Sequence, residues 1–191
     1  MNWQSHATDV AKSIAPYVGL IRRIRFYVNN KTLMMLYHAF IHSRMVYALP
    51  VWQSVSNECK NQIQILQNKA IKLINFLPIL TPTSSLYDNN LLKFTDQVKF
   101  ECIFFIFKVN FGLLKSDTNL ITNHQITNRS TRQSNALRTP MFLNATAQST
   151  IFFYGIVLYN AFIRSLTSRN LSIEALTLKQ IKDNIKAFVM S

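Results

Sequence analysis

The sequence predicts an all-α protein: an irregular helical bundle with a long polar loop and a small helical C-terminal segment. Three observations lead there. Apolar residues recur at steps of three and four along several stretches, the period of a helix with one buried face. Only 3 Gly and 5 Pro in 191 residues leave little material for the turns of a β-sandwich. A hydrophobic content of 49% with 14 Phe is enough to fill the core of one good-sized domain.

Each element follows from the pattern in order. Residues 7–28 carry Val10, Ile14, Val18, Ile21 and Arg25 at helical spacing, and Pro16 inside that run is expected to kink or split the helix. Asn30 is positioned to cap a second helix from about Lys31 to Leu49, ending before Pro50, with Leu33, Leu36, Phe40 and Tyr47 inward. Asn57 is positioned to cap a third helix, which repeats Cys59, Ile63, Leu66, Ala70, Leu73 and Leu77 at steps of three and four. Lys60, Gln64, Gln67 and Lys72 fall on its outer side, and it stops at Pro78. Residues 78–95 read as loop with one helical turn near Ser85–Asn89. Thr95 then caps a helix reaching Gly112, whose two apolar stripes (Val98–Cys102–Phe105–Val109 and Phe100–Phe104–Phe107–Phe111) predict burial on two sides. Lys115 to Thr150 is polar, basic and non-periodic. Ile151–Leu166 is apolar and helical, and Thr177 with Gln180 forms a capping box for a last helix with Ile181, Ile185 and Phe188 inward. The division expected is 1–114, a helical domain; 115–150, a basic polar linker; and 151–191, a C-terminal helical segment.

Charge is the strongest global signal. Twenty-one Lys and Arg against 8 Asp and Glu give +13, an excess that self-repels unless a polyanion is bound. Nucleic acid is the first partner this suggests and an anionic membrane surface the second. Arg22, Arg23 and Arg25 cluster at a helix end, Lys69 and Lys72 lie three apart, and Arg129, Arg132 and Arg138 punctuate the polar linker. These eight are the candidate nucleic-acid-binding residues.

Catalytic chemistry is poorly provided for. The eight carboxylates are scattered singly, whereas two-metal nucleotidyl transfer needs a close pair. Glycines at 19, 112 and 155 cannot compose a phosphate-binding loop. His38 and His42 share a helical spacing, but Ala39 stands where a zinc hydrolase carries its glutamate, and no third ligand is evident. The chain is therefore expected to hold no metal and no cofactor. Cys59 and Cys102 both fall on apolar stripes, which predicts buried free thiols and a reducing, intracellular setting, cytoplasmic or nuclear. The start shows no apolar signal region, and the apolar runs 102–107 and 151–159 are shorter than the roughly 18 residues that cross a bilayer.

The order of several short motifs resembles the region that follows the palm in reverse transcriptases of non-LTR retrotransposons, the jockey-like lineage especially. Trp3 and His6 resemble its W-x-x-H. Gly19 and Arg22 resemble the start of G-x-x-R-x-R, with Arg25 one position past its second Arg. Leu36, Tyr37, Ile41, Tyr47 and Trp52 follow L-Y-x-x-x-I-x-x-x-x-x-Y-x-x-x-x-W. Leu66, Gln67, Ala70, Lys72 and Ile74 follow L-Q-x-x-A-x-(R/K)-x-I, with Lys72 where Arg is common. Thr131, Arg132, Gln133, Leu137 and Pro140 resemble T-R-Q-x-x-x-L-x-x-P, and Phe153, Gly155, Tyr159 and Asn160 approximate Y-x-G/A-x-x-x-(W/Y)-N. The resemblance runs from Trp3 to about Phe188. It implies a helical thumb and a post-thumb segment that grip an RNA/DNA template–primer by its phosphates, as part of an RNA-directed DNA polymerase. The family's aspartate box belongs to an upstream palm and has no counterpart here, so the resemblance implies no catalytic residue and no stand-alone activity.

Two other readings fit the same composition. One is a basic membrane-peripheral or organellar helical protein. The other is a retroelement remnant without a role.

Overall fold

The computed structural model describes residues 3–87, 91–116, 120–127, 134–140 and 150–190. The protein is all-α. Among the described residues, backbone pairing outside helices goes no further than isolated bridges such as that between Thr122 and Leu137. Helix α1 spans Trp3–Ile24, α2 Asn30–Leu36, α3 Ser43–Val46, α4 Leu49–Trp52, α5 Asn57–Ile74 and α6 Phe94–Asn110. Then come α7 at Asn123–Thr127, α8 at Ile151–Ser168 and α9 at Leu178–Met190. Single 3₁₀ turns sit at Thr83–Leu86 and Ile173–Ala175. The chain divides into two compact units, residues 1–98 and 99–191.

In the first unit, α1 and α5 lie side by side and run the same way. At their starts the Gln4 amide oxygen accepts from the Ser56 backbone N–H at 3.3 Å and from the Cys59 thiol at 3.2 Å. At their ends they border one groove. Helix α1 buries Val10, Ala11, Ile14, Val18 and Ile21. Pro16 does not interrupt it, because the exposed side of a helix tolerates a missing N–H where water can replace the lost bond. Helix α5 buries Ile63, Gln67, Ala70, Ile71 and Ile74, while Leu66, Leu73 and Cys59 are only half-buried. The expected stripe was thus rotated by about one position, and Cys59 is not a buried thiol as expected; Cys102 is.

The largest departure concerns Gln67. Expected on the outer face, it is 1% exposed. Its amide donates to the Tyr37 hydroxyl at 3.1 Å and the Leu92 carbonyl at 2.8 Å, and its carbonyl oxygen accepts from the Phe94 N–H at 2.9 Å. Gln64 accepts from that same N–H at 2.9 Å and donates to the Tyr87 hydroxyl at 2.8 Å. Two glutamines of α5 therefore cap the start of α6, in place of the local Thr95 cap that the sequence suggests. Burial pushes the Tyr37 hydroxyl up to about 12, with the Gln67 hydrogen bond opposing.

The segment expected as one helix from 31 to 49 is helical without a break from Asn30 to Val46, passes through a π-helical stretch, and ends at Tyr47, short of Leu49. Asn29, not Asn30, caps it, its side chain accepting from the Thr32 N–H at 2.8 Å. A π-helical turn at Tyr37–His42 adds a residue to the period, so Leu33, Tyr37, Ile41, Met45 and Leu49 are buried at uniform steps of four. Phe40 and Tyr47 are exposed instead of inward. Ala48 turns left-handed at φ 50, and Pro50 sits in the first turn of α4 rather than ending a helix. Likewise Ser56, one residue before Asn57, caps α5.

His42, expected on the exposed side, is half-buried. Burial lowers its pKa from the ordinary 6.5, His38 beside it lowers it further, and a hydrogen bond with Gln97 opposes both. The folded state therefore binds this proton less readily than the unfolded chain. Stability contributed here is complete above the unfolded value of 6.5 and falls as pH drops through it toward the folded value. Urea melts at a series of pH values should show this slope, and His42→Gln should flatten it.

In the second unit, α6 stacks Phe100, Phe104, Phe107 and Phe111 as a ladder, with successive ring centroids 6.0, 6.0 and 4.6 Å apart. Gly155 of α8 meets this helix closely: a β-carbon there would lie 2.9 Å from the buried Ile106 side chain. Gly155→Val should cost about 1 to 3 kcal/mol by overpacking, read as a lower thermal midpoint. The Thr177–Gln180 capping box is present, with the Gln180 amide oxygen accepting from the Thr177 N–H at 2.9 Å. Within the segment read as linker, α7 forms, and the Asn160 side chain brackets Leu137. Its oxygen accepts from the Leu137 N–H at 3.0 Å and its amide donates to the Leu137 carbonyl at 2.8 Å. The apolar run at 151 extends through Ser168, and this helix is long and apolar enough to cross a membrane by length and composition.

Candidate nucleic-acid interface

The parallel course of α1 and α5 decides where the basic residues meet. Each helix brings its cations to its last turns, Arg22 and Arg23 in α1 and Lys72 in α5. Because the helices run the same way, these ends lie on one side of the unit. A groove of about 950 Å³ opens between them, and Arg22, Arg25, Lys69 and Lys72 all line it. Four of the eight candidates from the sequence are thus brought together from segments more than 40 residues apart in the chain.

No acidic side chain is among the described residues that line this groove. The ion pair formed by described residues of α1, Lys12 with Asp9 at 3.9 Å, lies away from it, three turns up the helix. Cations at helix C-termini are ordinarily explained by the helix dipole, which places roughly half a negative charge at each end. Two such ends offset about one unit of charge, and four cations exceed that by roughly three.

The four differ in what holds them. Arg22 and Lys69 are exposed. Lys72 is half-buried and donates to the Ile79 carbonyl at 2.5 Å, which ties the following loop to the helix. The Arg25 guanidinium lies 4.5 Å from the Phe26 ring centroid and 5.5 Å from that of Phe76, and its Nε is buried without a hydrogen-bond partner among the described residues. Gly19 of α1, exposed, also lines the groove, and a β-carbon there would meet nothing within 4 Å. A ligand could therefore approach the α1 backbone closely there.

The remaining candidates lie elsewhere. Arg23 is exposed but does not line the groove. Arg138 belongs to the second unit, where it borders a separate cavity of about 530 Å³ with Arg164. Arg129 and Arg132 fall outside the described residues. His38 and His42 have ring centroids 5.2 Å apart, and among the described residues no group of three potential metal ligands forms.

Residue-by-residue reading of the sequence missed Phe26 and Phe76. Both are exposed, at 70% and 50%, and their rings are 5.8 Å apart. The available signal was a basic residue followed four positions later by Phe at the end of each helix, Arg22 with Phe26 and Lys72 with Phe76.

Set against known proteins, the chain matches no family model, no curated protein and no solved structure.

Proposed function

We propose that this protein grips nucleic acid through its phosphates, in the groove between the ends of α1 and α5. The observation that carries this reading is the convergence of Arg22, Arg25, Lys69 and Lys72 on one groove without a lining carboxylate among the described residues. Contact with phosphates is sequence-independent and releases counterions, so it suits a clamp more than a reader of bases.

We further propose that the chain corresponds to the thumb and post-thumb region of a non-LTR retrotransposon reverse transcriptase. In that setting it would hold template–primer while an upstream palm performs RNA-directed DNA synthesis. What supports this is that residues of separate motifs are partners in space. Trp52 meets His6 at 5.6 Å. Gln67 bonds to Tyr37 across 30 residues, and Asn160 brackets Leu137 across 23.

The test is salt-dependent binding. Log affinity for duplex should fall linearly with log salt, each phosphate contact adding about 0.9 to the slope. Arg22→Gln combined with Lys69→Gln should make that slope shallower by about 1.5 to 2, with no change in fold because both side chains are exposed. An unchanged slope would sink the groove as the site.

One observation bears on the second reading, a membrane-peripheral protein: α8 has the length and composition of a membrane helix, with its residues mostly buried or half-buried. Binding to anionic vesicles but not to nucleic acid would favour that reading over the first.

A further inference from the structure

The chain leaves α5 through a Schellman turn. The Leu77 N–H donates to the Lys72 carbonyl at 2.9 Å and the Phe76 N–H to the Leu73 carbonyl at 3.4 Å, with Phe76 in the left-handed region at φ 54. That position usually belongs to glycine, because a side chain there is strained. The cap itself needs only the backbone, and the Phe76 ring is not spent on core, since half its surface is exposed. The strained conformation instead holds the ring at the groove, 5.8 Å from the Phe26 ring, with the Arg25 guanidinium near both.

We propose that Phe76, with Phe26 and Arg25, is a stacking platform for an unpaired nucleobase, so that the groove takes a single strand or a frayed end. This rests on the phosphate-binding reading above and specifies the form of nucleic acid. A paired duplex offers such a groove only its backbone, because its base faces are already stacked. A single strand offers phosphates to Arg22 and Lys69 and a base face to the rings in the same contact. The positive lining matches that backbone, and the π-face accepts any base, which fits binding without sequence preference.

The experiment compares three probes of equal phosphate count by fluorescence anisotropy: oligothymidylate, an abasic strand and a blunt duplex. The unaltered chain should bind oligothymidylate about 5- to 150-fold more tightly than the abasic strand, the worth of one stacked base. Phe76→Gly should erase that advantage while leaving the salt slope unchanged. Its thermal midpoint should hold or rise, because glycine suits φ 54. Phe76→Trp should keep the advantage. Equal affinity for base-bearing and abasic strands, or wild-type binding by Phe76→Gly, overturns the platform and leaves the rings to an apolar partner surface. Failure of all three probes to bind in a salt-dependent way defeats the phosphate reading itself. The probe comparison uses the unaltered chain, so the outcome does not depend on how any variant folds.

Discussion

Replacing Trp52 by alanine is expected to cost about 3 to 5 kcal/mol, the range for emptying a large aromatic site in a core. Trp52 is fully buried in the first unit. Its ring lies 5.9 Å from Phe94, near-parallel at 23°, and 5.6 Å from His6 at a steep angle, so it joins α1, α4 and the start of α6. Its indole N–H donates to the Tyr47 carbonyl at 2.8 Å, across the left-handed turn at Ala48. Removing the ring therefore leaves a cavity and an unpaired carbonyl at once. Trp52→Phe keeps most of the volume but loses the donor, and should cost less, about 1 to 3 kcal/mol. Urea denaturation that places Trp52→Ala within about 1 kcal/mol of the parent would mean the first unit does not pack around this ring as described.

Gln67→Ala is expected to be comparably severe. The glutamine satisfies the Tyr37 hydroxyl and the Leu92 carbonyl, both buried, and shares the Phe94 N–H with Gln64. Phe94 keeps its second partner, so two buried groups are orphaned, at about 1 to 3 kcal/mol each, or roughly 2 to 6 kcal/mol in all. Gln67→Leu restores volume but not bonding and should remain destabilising. Adding Tyr37→Phe removes one of the orphans, so the double variant should lose less than the sum of the two single variants. A coupling of about 0.5 to 3 kcal/mol is the expected sign of a shared network. Strict additivity would mean that Tyr37 and Gln67 do not interact in solution.

Gln67 also shows where reading a sequence stops. Local properties were legible. Helical periodicity placed α1, α5, α6, α8 and α9, and the capping box at Thr177 formed as its spacing predicts, because each depends on residues within a turn or two of one another. The four basic residues of the groove were nameable one by one, since charge at a helix end is a local signal. Their meeting was not, because it depends on α1 and α5 running parallel, which the intervening turns and shared core decide. The π-turn at Tyr37–His42 is another such case. Tyr37 and Ile41 stay in the core there, while Phe40 and Tyr47, which the sequence places inward, are left to solvent. A glutamine reads as outward because its amide is costly to bury alone. It is inward here because three groups from the segments around Tyr37 and Leu92–Phe94 bond to it, and one of them is the orphan N–H that opens α6. The sequence by itself thus determined the long helices α1, α5, α6, α8 and α9, the fold class and the excess of positive charge. Tertiary structure decided which polar side chains the core would accept and which cations would share a groove, because both are set by partners distant along the chain.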